Sequence, residues 1–559
     1  MRVTMALLLA GVAVAQQPPP DTVAKDSSKD MARVEGRLFN IAGEPLKKGI
    51  LTLRALTSGA VDNPKAYGAT SDAEGKFLIT DIAPGSYQLM VDRVGYLRQA
   101  YGGKPNSFQG TTLTLAAGQH LTDLSFKLTP QSTISGKTLD EDGDPIRASV
   151  FVMKSMYVRG KRQVRPMSGV TSDDQGDYKI SGLAPGRYYL GVTYRQRLFS
   201  PGDVQVARPK PGEPEMGYVT TYFAGSTDSA SATPLEVLVG QDAAGINVRL
   251  KKAEVYRVKG SIAGSVPDVP VTRIRVSLMP RDTSRVFMFD SGTSVAKDGS
   301  FELTGLRPGS YDLMAMKAEG MGQTLARQPL ELGKQNIEGV TLTLQPPAEM
   351  HGSVRIDSSQ SGSTAPASIV GTRISLTASD DALLMYNYPS ASVKDDGTFV
   401  LPNVVNGKYQ VNVFSMPDGL YLKSAKFGDQ EAANGAFEFS GQGNLELVLR
   451  AGAGQITGSV QNEKQLPAIG STVTLIPDPP QPERTDLYKM VMTDQGGAFT
   501  FKNVPPGRYR VYAWSDLESG AQFDPEFMKP HESHGEKVTV EDNAAAVQVQ
   551  LKMLVVGTP

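Results

Sequence analysis

The chain has 559 residues, 57 Lys+Arg against 58 Asp+Glu, a formal net charge of −1 and no Cys. One hydrophobic core stops growing at about 250–300 residues, so several domains are required. Near-neutral charge leaves no electrostatic footprint for nucleic acid, and the missing Cys removes disulfides, Cys-ligated zinc, iron–sulfur clusters, Cys nucleophiles and a lipid-modified N-terminal Cys.

The first segment reads as an address. Arg2 is a minimal basic region, Met5 to Ala15 is an apolar run, and Ala13-Val14-Ala15 is a small-x-small cleavage site. The run falls short of the roughly 20 apolar residues that a spanning helix needs. Residues 16–31 follow as a Pro-rich, then polar linker. Export is therefore expected, with no transmembrane span, to the periplasm, the outer-membrane surroundings or the medium.

Beyond the linker one pattern recurs five times: Gly-x-Phe/Tyr, four residues, an aliphatic, two residues, Gly-x-Tyr. Its aromatic pairs are Phe77/Tyr87, Tyr178/Tyr188, Phe301/Tyr311, Phe399/Tyr409 and Phe499/Tyr509, always ten residues apart. Each block opens with a short strand that contains a Gly (Gly36, Gly136, Gly260, Gly352, Gly458) and closes on an alternating run such as Leu124/Phe126/Leu128 or Val547/Val549/Leu551. Period-2 alternation marks half-buried strands. About seven short strands in ~100 residues, separated by turn signals, predict a β-sandwich. The expected class is all-β, five tandem Greek-key sandwiches of ~100 residues each. The expected boundaries are 32–129, 130–252 with a long loop at 195–234, 253–346, 347–451 and 452–559. Very short joints predict that neighbours touch along an elongated, moderately stiff rod.

Candidate sites are few. In the first block Tyr101, and in the second Tyr222, lie in long segments that precede similar Thr-x-Leu-x-Leu/Val-x-x-Gly-Gln runs. Either these aromatics anchor the loops to the sandwich or they contact a ligand. Asp140-Glu-Asp142-Gly-Asp144 resembles a calcium run, but its Gly is misplaced and no Glu sits at the twelfth position, so a turn is expected. In the fifth block the strand Gly507–Trp514 puts Tyr509, Val511 and Ala513 on one face and Arg510, Tyr512 and Trp514 on the other. An outward Tyr512–Trp514 pair beside Arg510 would make a sugar-stacking platform. Alternatively, the segment Asp516–Glu536 with Phe523 and Phe527 closes over it. His531 and His534, with Glu532 and Glu536, are weak metal candidates that lack a third placed ligand.

The blocks resemble the carboxypeptidase regulatory-like domain, a transthyretin-like sandwich related to the B-type repeats of collagen-binding adhesins and to the carbohydrate-binding-like fold. The second block carries the resemblance best, in Ile134 to Pro145 and Thr171 to Tyr188, and the likeness runs over about 32–556. It implies scaffold roles for the motif residues: turns for Gly and Pro, and a packed Tyr with its hydroxyl tied to nearby backbone. It extends only to an accessory domain. Zinc carboxypeptidases need a His-x-x-Glu pair, and none of the four His begins one. The isopeptide crosslink of the adhesin relatives needs an acid just before the Pro-Gly turn, which this chain lacks. The resemblance implies a non-enzymatic exported binding or spacer protein of the cell envelope, cofactor-free, whose partner is an envelope protein or a glycan; the alternative is a carbohydrate-binding protein acting on envelope or extracellular glycans.

Overall fold

The alternating runs become strands whose apolar side chains face inward. Leu51 and Leu53 on one strand and Leu89 and Val91 on its neighbour are fully buried, while the residues between them are not. The computed structural model describes residues 31–56, 65–194, 214–281 apart from 268, 291–318, 324–345, 348–357, 368–379, 388–543 and 545–556. The leader, nearly all of the linker, and residues 195–213 of the long loop with Pro201 and Pro209 lie outside them. Among the described residues no helix is long and apolar enough to cross a membrane.

Five β-sandwiches follow one another. In the first, Ala32–Asn40 pairs antiparallel with Lys76–Ile82 and parallel with His120–Leu128. The facing sheet places Ile50–Ala55 between Ala66–Thr70 and Gly85–Asp92, and Gly85–Asp92 also pairs with Thr112–Leu115. The same plan, an opening strand flanked by one antiparallel and one parallel partner, returns around Ser132–Leu139, Tyr256–Ala263, Ala348–Asp357 and Gly454–Gln461. Each sandwich has its own buried cluster.

The joints are built rather than slack. Between the second and third sandwiches, Met216–Val219 returns from the long loop and pairs with Lys251–Glu254, turning the connection into a two-stranded ribbon. Arg257 closes the joint with two parallel bonds to Glu215, at 2.6 and 2.8 Å, and a third to Glu302 at 2.9 Å. This fork geometry fixes orientation as well as distance. Between the third and fourth, Met279 and Met314 leave their own core and join that of the next sandwich.

The array is not an open rod. The fifth sandwich folds back onto the first and second. Lys104 donates to the Leu517 carbonyl at 2.7 Å and pairs with Asp516. The long hairpin Ser149–Val158/Lys161–Thr171 of the second sandwich reaches over, with Tyr157 against Phe527 at 6.2 Å and Arg162 on Glu518 at 3.1 Å. At the hairpin tip Arg159 donates to the carbonyls of Ala378 and Ser379 in the fourth sandwich. The expectation of an elongated particle is thereby corrected. Short joints allow neighbours to pack at an angle, and here the angles bring the ends together.

Candidate functional site

The repeated motif is absorbed by the cores. In all five sandwiches the Tyr after the turn is buried and its hydroxyl donates to the carbonyl four residues earlier: Tyr87 to Ala83, Tyr188 to Ala184, Tyr311 to Arg307, Tyr409 to Val405 and Tyr509 to Pro505, at 2.6–2.9 Å. Burial, with Tyr67 beside it, pushes the Tyr87 hydroxyl up to about 12, and burial raises Tyr509 as well. The Gly of each opening strand is required by close approach. A Cβ at Gly36, Gly136 or Gly458 would lie 2.1 Å from the carbonyl oxygen of Leu124, Ile246 or Val549 beside it.

The outer face of the fifth sandwich is closed. Tyr512 and Trp514 do share a face, stacked at 5.4 Å with their planes 22° apart, but neither is a platform. Trp514 has no exposed surface and Tyr512 has 3%. The segment Ser515–His534 lies over them, bringing Leu517, Ala521, Phe527 at 5.8 Å and the edge of His531 at 5.1 Å. The indole Nε1 donates to Thr474 Oγ1 at 2.8 Å. Arg510 is half-buried, donating to Asp478 at 3.1 Å and to the Glu532 carbonyl at 2.6 Å, which ties strand to cover. An exposed aromatic pair would be an apolar patch in water. The covering alternative is the one the chain adopts, and the sugar-stacking surface is corrected.

The two histidines are not placed as a ligand pair. Their ring centroids are 6.4 Å apart, with His531 turned into the aromatic cover and His534 exposed. Burial, and then His534, hold His531 below its ordinary value. Among the described residues no three His, Asp or Glu side chains gather as metal ligands do. The acidic run of the second sandwich is a turn: Asp140 Oδ1 accepts the N–H groups of Asp142, Gly143 and Asp144, each at 2.9 Å.

Tyr101 and Tyr222 both pack inward. Tyr101 is half-buried, its edge on Phe126 at 5.3 Å, and its own N–H and carbonyl are bonded to Leu89 and Thr111. Tyr222 is 5% exposed in a second small cluster with Phe151 and Met153. A ligand would reach only the rim of Tyr101 and almost none of Tyr222. A cleft of about 560 Å³ opens near Phe223, Arg249 and Lys251. Glu141 reaches into it to pair with Lys252, so the cleft carries both signs of charge.

Sequence reading missed the contact between distant sandwiches. Its signal was present as length: the hairpin strands Ser149–Val158 and Lys161–Thr171 have 10 and 11 residues, where the first sandwich has 6 and 5.

Comparison with known proteins adds the following. Residues 33–129 match the carboxypeptidase regulatory-like domain. A stretch of 137 residues is 28% identical to serine-aspartate repeat-containing protein D of Staphylococcus aureus (strain Newman), covering 22% of this chain and 10% of that protein. The chain thus spans about a tenth of the curated relatives it matches. Among solved structures, a streptococcal ancillary pilin aligns with 13% identity and a TM-score of 0.18, covering 56% of this chain and 99% of that one. Two B repeat units of the collagen binding protein of Staphylococcus aureus align with 13% identity and a TM-score of 0.13, covering 75% and 99%. The first sandwich is thus similar to a carboxypeptidase regulatory-like domain, and the four sandwiches that follow repeat its strand plan.

Proposed function

We propose that this chain is a non-enzymatic protein of the bacterial cell envelope, exported behind residues 1–15, whose five sandwiches bind an envelope protein or hold other parts of an assembly at fixed spacing. The units are taken as 32–129, 130–252, 253–346, 347–451 and 452–559. The observation that carries this reading is the fate of the repeated residues. The corner Tyr, the Gly of the opening strand and the Phe or Tyr ten residues before the corner are used for packing in every copy, and the corner Tyr for one backbone bond, so a copy offers its neighbours only outer faces, loops and joints. Rigid joints such as the Arg257 fork suit a spacer, because they transmit position from one sandwich to the next. The burial of Tyr512 and Trp514, the pair offered for sugar stacking, favours this reading over the glycan alternative.

Fractionation of the producing cells tests the reading. The expected result is a protein in the envelope or medium that starts at Gln16 and is captured with an envelope protein after mild crosslinking. A full-length cytoplasmic product, or retention on an array of envelope glycans instead of a protein partner, would overturn it.

A further inference from the structure

The segment Ser515–His534 has two jobs, and Leu517 and Phe527 take part in both. Its inner side completes the fifth sandwich by covering Trp514 with Leu517, Ala521 and Phe527. Its outer side meets two other sandwiches. From the first comes Lys104, on Asp516 and the Leu517 carbonyl. From the second comes the hairpin, with Tyr157 packed on Gly520, Arg162 on Glu518 and Gly160 against the Phe523 backbone. The inner contacts are apolar and closed to water. The outer ion pairs are not: the side chains of Lys104 and Asp516 are 46% and 49% exposed, and those of Arg162 and Glu518 are 43% and 37%. Exposed ion pairs are weak and salt weakens them further.

We infer that the Lys104 loop and the Tyr157–Arg162 hairpin tip form a clasp on Ser515–His534, which holds the five sandwiches closed and opens in salt without unfolding any of them. The segment stays folded on opening because its own anchor is Trp514, whose neighbours are mostly within the fifth sandwich. Opening frees the outer side of the segment, and it must also part the uncharged contacts beside the clasp: Gln495 on the Thr114 carbonyl at 3.3 Å, Gly102 against Gly470, and Arg159 of the hairpin tip on the Ala378 and Ser379 carbonyls. The contact is made in cis because four short joints keep the two surfaces at high effective concentration. This inference does not rest on export or on the identity of a partner.

Small-angle scattering on the full chain tests it, with Trp514 fluorescence recorded on the same samples, since Trp514 is the only Trp. From about 0.1 M to about 1 M salt the Debye length falls from ~10 to ~3 Å. The radius of gyration is expected to rise by roughly a quarter above its low-salt value, which itself lies nearer the compact-chain law than a string of domains does. The Trp514 emission should not move. Lys104→Glu should open the array at low salt, and Lys104→Glu with Asp516→Lys should close it again. Gly160→Asn provides a second variant. Asn tolerates the positive φ of 71° at this turn, but a Cβ there would lie 2.4 Å from the Phe523 carbonyl oxygen and push the tip away. A radius unchanged by salt and by both opening variants would overturn the clasp. So would a rise accompanied by a red-shifted Trp514 emission, which means unfolding, or a radius that grows with protein concentration at low salt, which means the contact joins two copies.

Discussion

The second and fifth sandwiches cover the same face of the same strand in opposite ways. In the second, the strand Gly186–Thr193 is thin at its centre: Gly191 stands opposite Phe151 of the neighbouring strand, and Tyr222 from the loop fills the remaining space. In the fifth, the position three after the corner Tyr is Tyr512 rather than Gly, and its cross-strand partner is Thr474 rather than Phe. The cover over Tyr512 is small, with Gly535 against its ring, while Phe527 and the edge of His531 close over Trp514. What is kept between the two is the filled volume of the layer, and what is free is which chain segment supplies the aromatic. Close packing demands the first and is indifferent to the second. An aromatic on the outer face of one sandwich is therefore no evidence of a binding surface until its cover has been found.

The largest expected break in that comparison is Trp514→Ala. It empties a fully buried site and strands the Thr474 hydroxyl, so the fifth sandwich should lose about 3–5 kcal/mol. The matching change in the second, Thr193→Ala, should cost about 1 kcal/mol, since it removes a hydroxyl rather than a large ring; that hydroxyl lies 3.2 Å from the one of Thr220. Urea denaturation of each variant reads both. Equal losses would mean that the two layers are not counterparts.

Overpacking sharpens the comparison from the other side. Gly191→Ala places a Cβ 2.5 Å from Phe151 Cζ, and Gly535→Ala places one 2.5 Å from Tyr512 Cζ. Each should destabilise its sandwich by about 1–3 kcal/mol, although one Gly lies on the strand and the other in the cover. A neutral Gly535→Ala would show that the cover is looser than the strand.

The smallest expected effect comes from the corner tyrosine of the first sandwich and serves as the control. The Tyr87 hydroxyl is raised from 10 to about 12, chiefly by burial. A group whose folded value lies above its unfolded one contributes fully below the unfolded value and loses that contribution as pH rises through the folded one. The first sandwich should hold its stability up to about pH 10 and weaken between 10 and 12, and Tyr87→Phe should flatten that alkaline limb. Loss of stability starting near neutral pH would mean that the corner hydroxyl is not sealed.

The fivefold spacing made the sandwiches, their corner tyrosines and their turns legible, because those features repeat and each obeys a local rule of alternation or turn chemistry. The parallel pairing of first and last strands was not legible, though its trace was: an invariant Gly within a strand that otherwise has no need of one, explained only when the Leu124 or Val549 carbonyl is seen beside it. The face of Trp514 was assigned correctly by alternation, but alternation cannot tell an outer face that meets water from one that meets a returning loop. The clasp lies furthest from sequence, since Lys104 and Asp516 are 412 positions apart (516 − 104) and neither belongs to the repeat.

The parallel pair has a mechanical consequence. The chain enters the first sandwich at Ala32 and leaves it at Leu128, at opposite ends of two strands that run side by side, with Arg33 opposite His120 and Asn40 opposite Leu128. Tension between entry and exit therefore runs along the strands and shears their evenly spaced hydrogen bonds together instead of peeling them one by one. All five sandwiches are threaded in this way. Each sandwich is thereby threaded to resist a pull from its neighbours along its strongest direction.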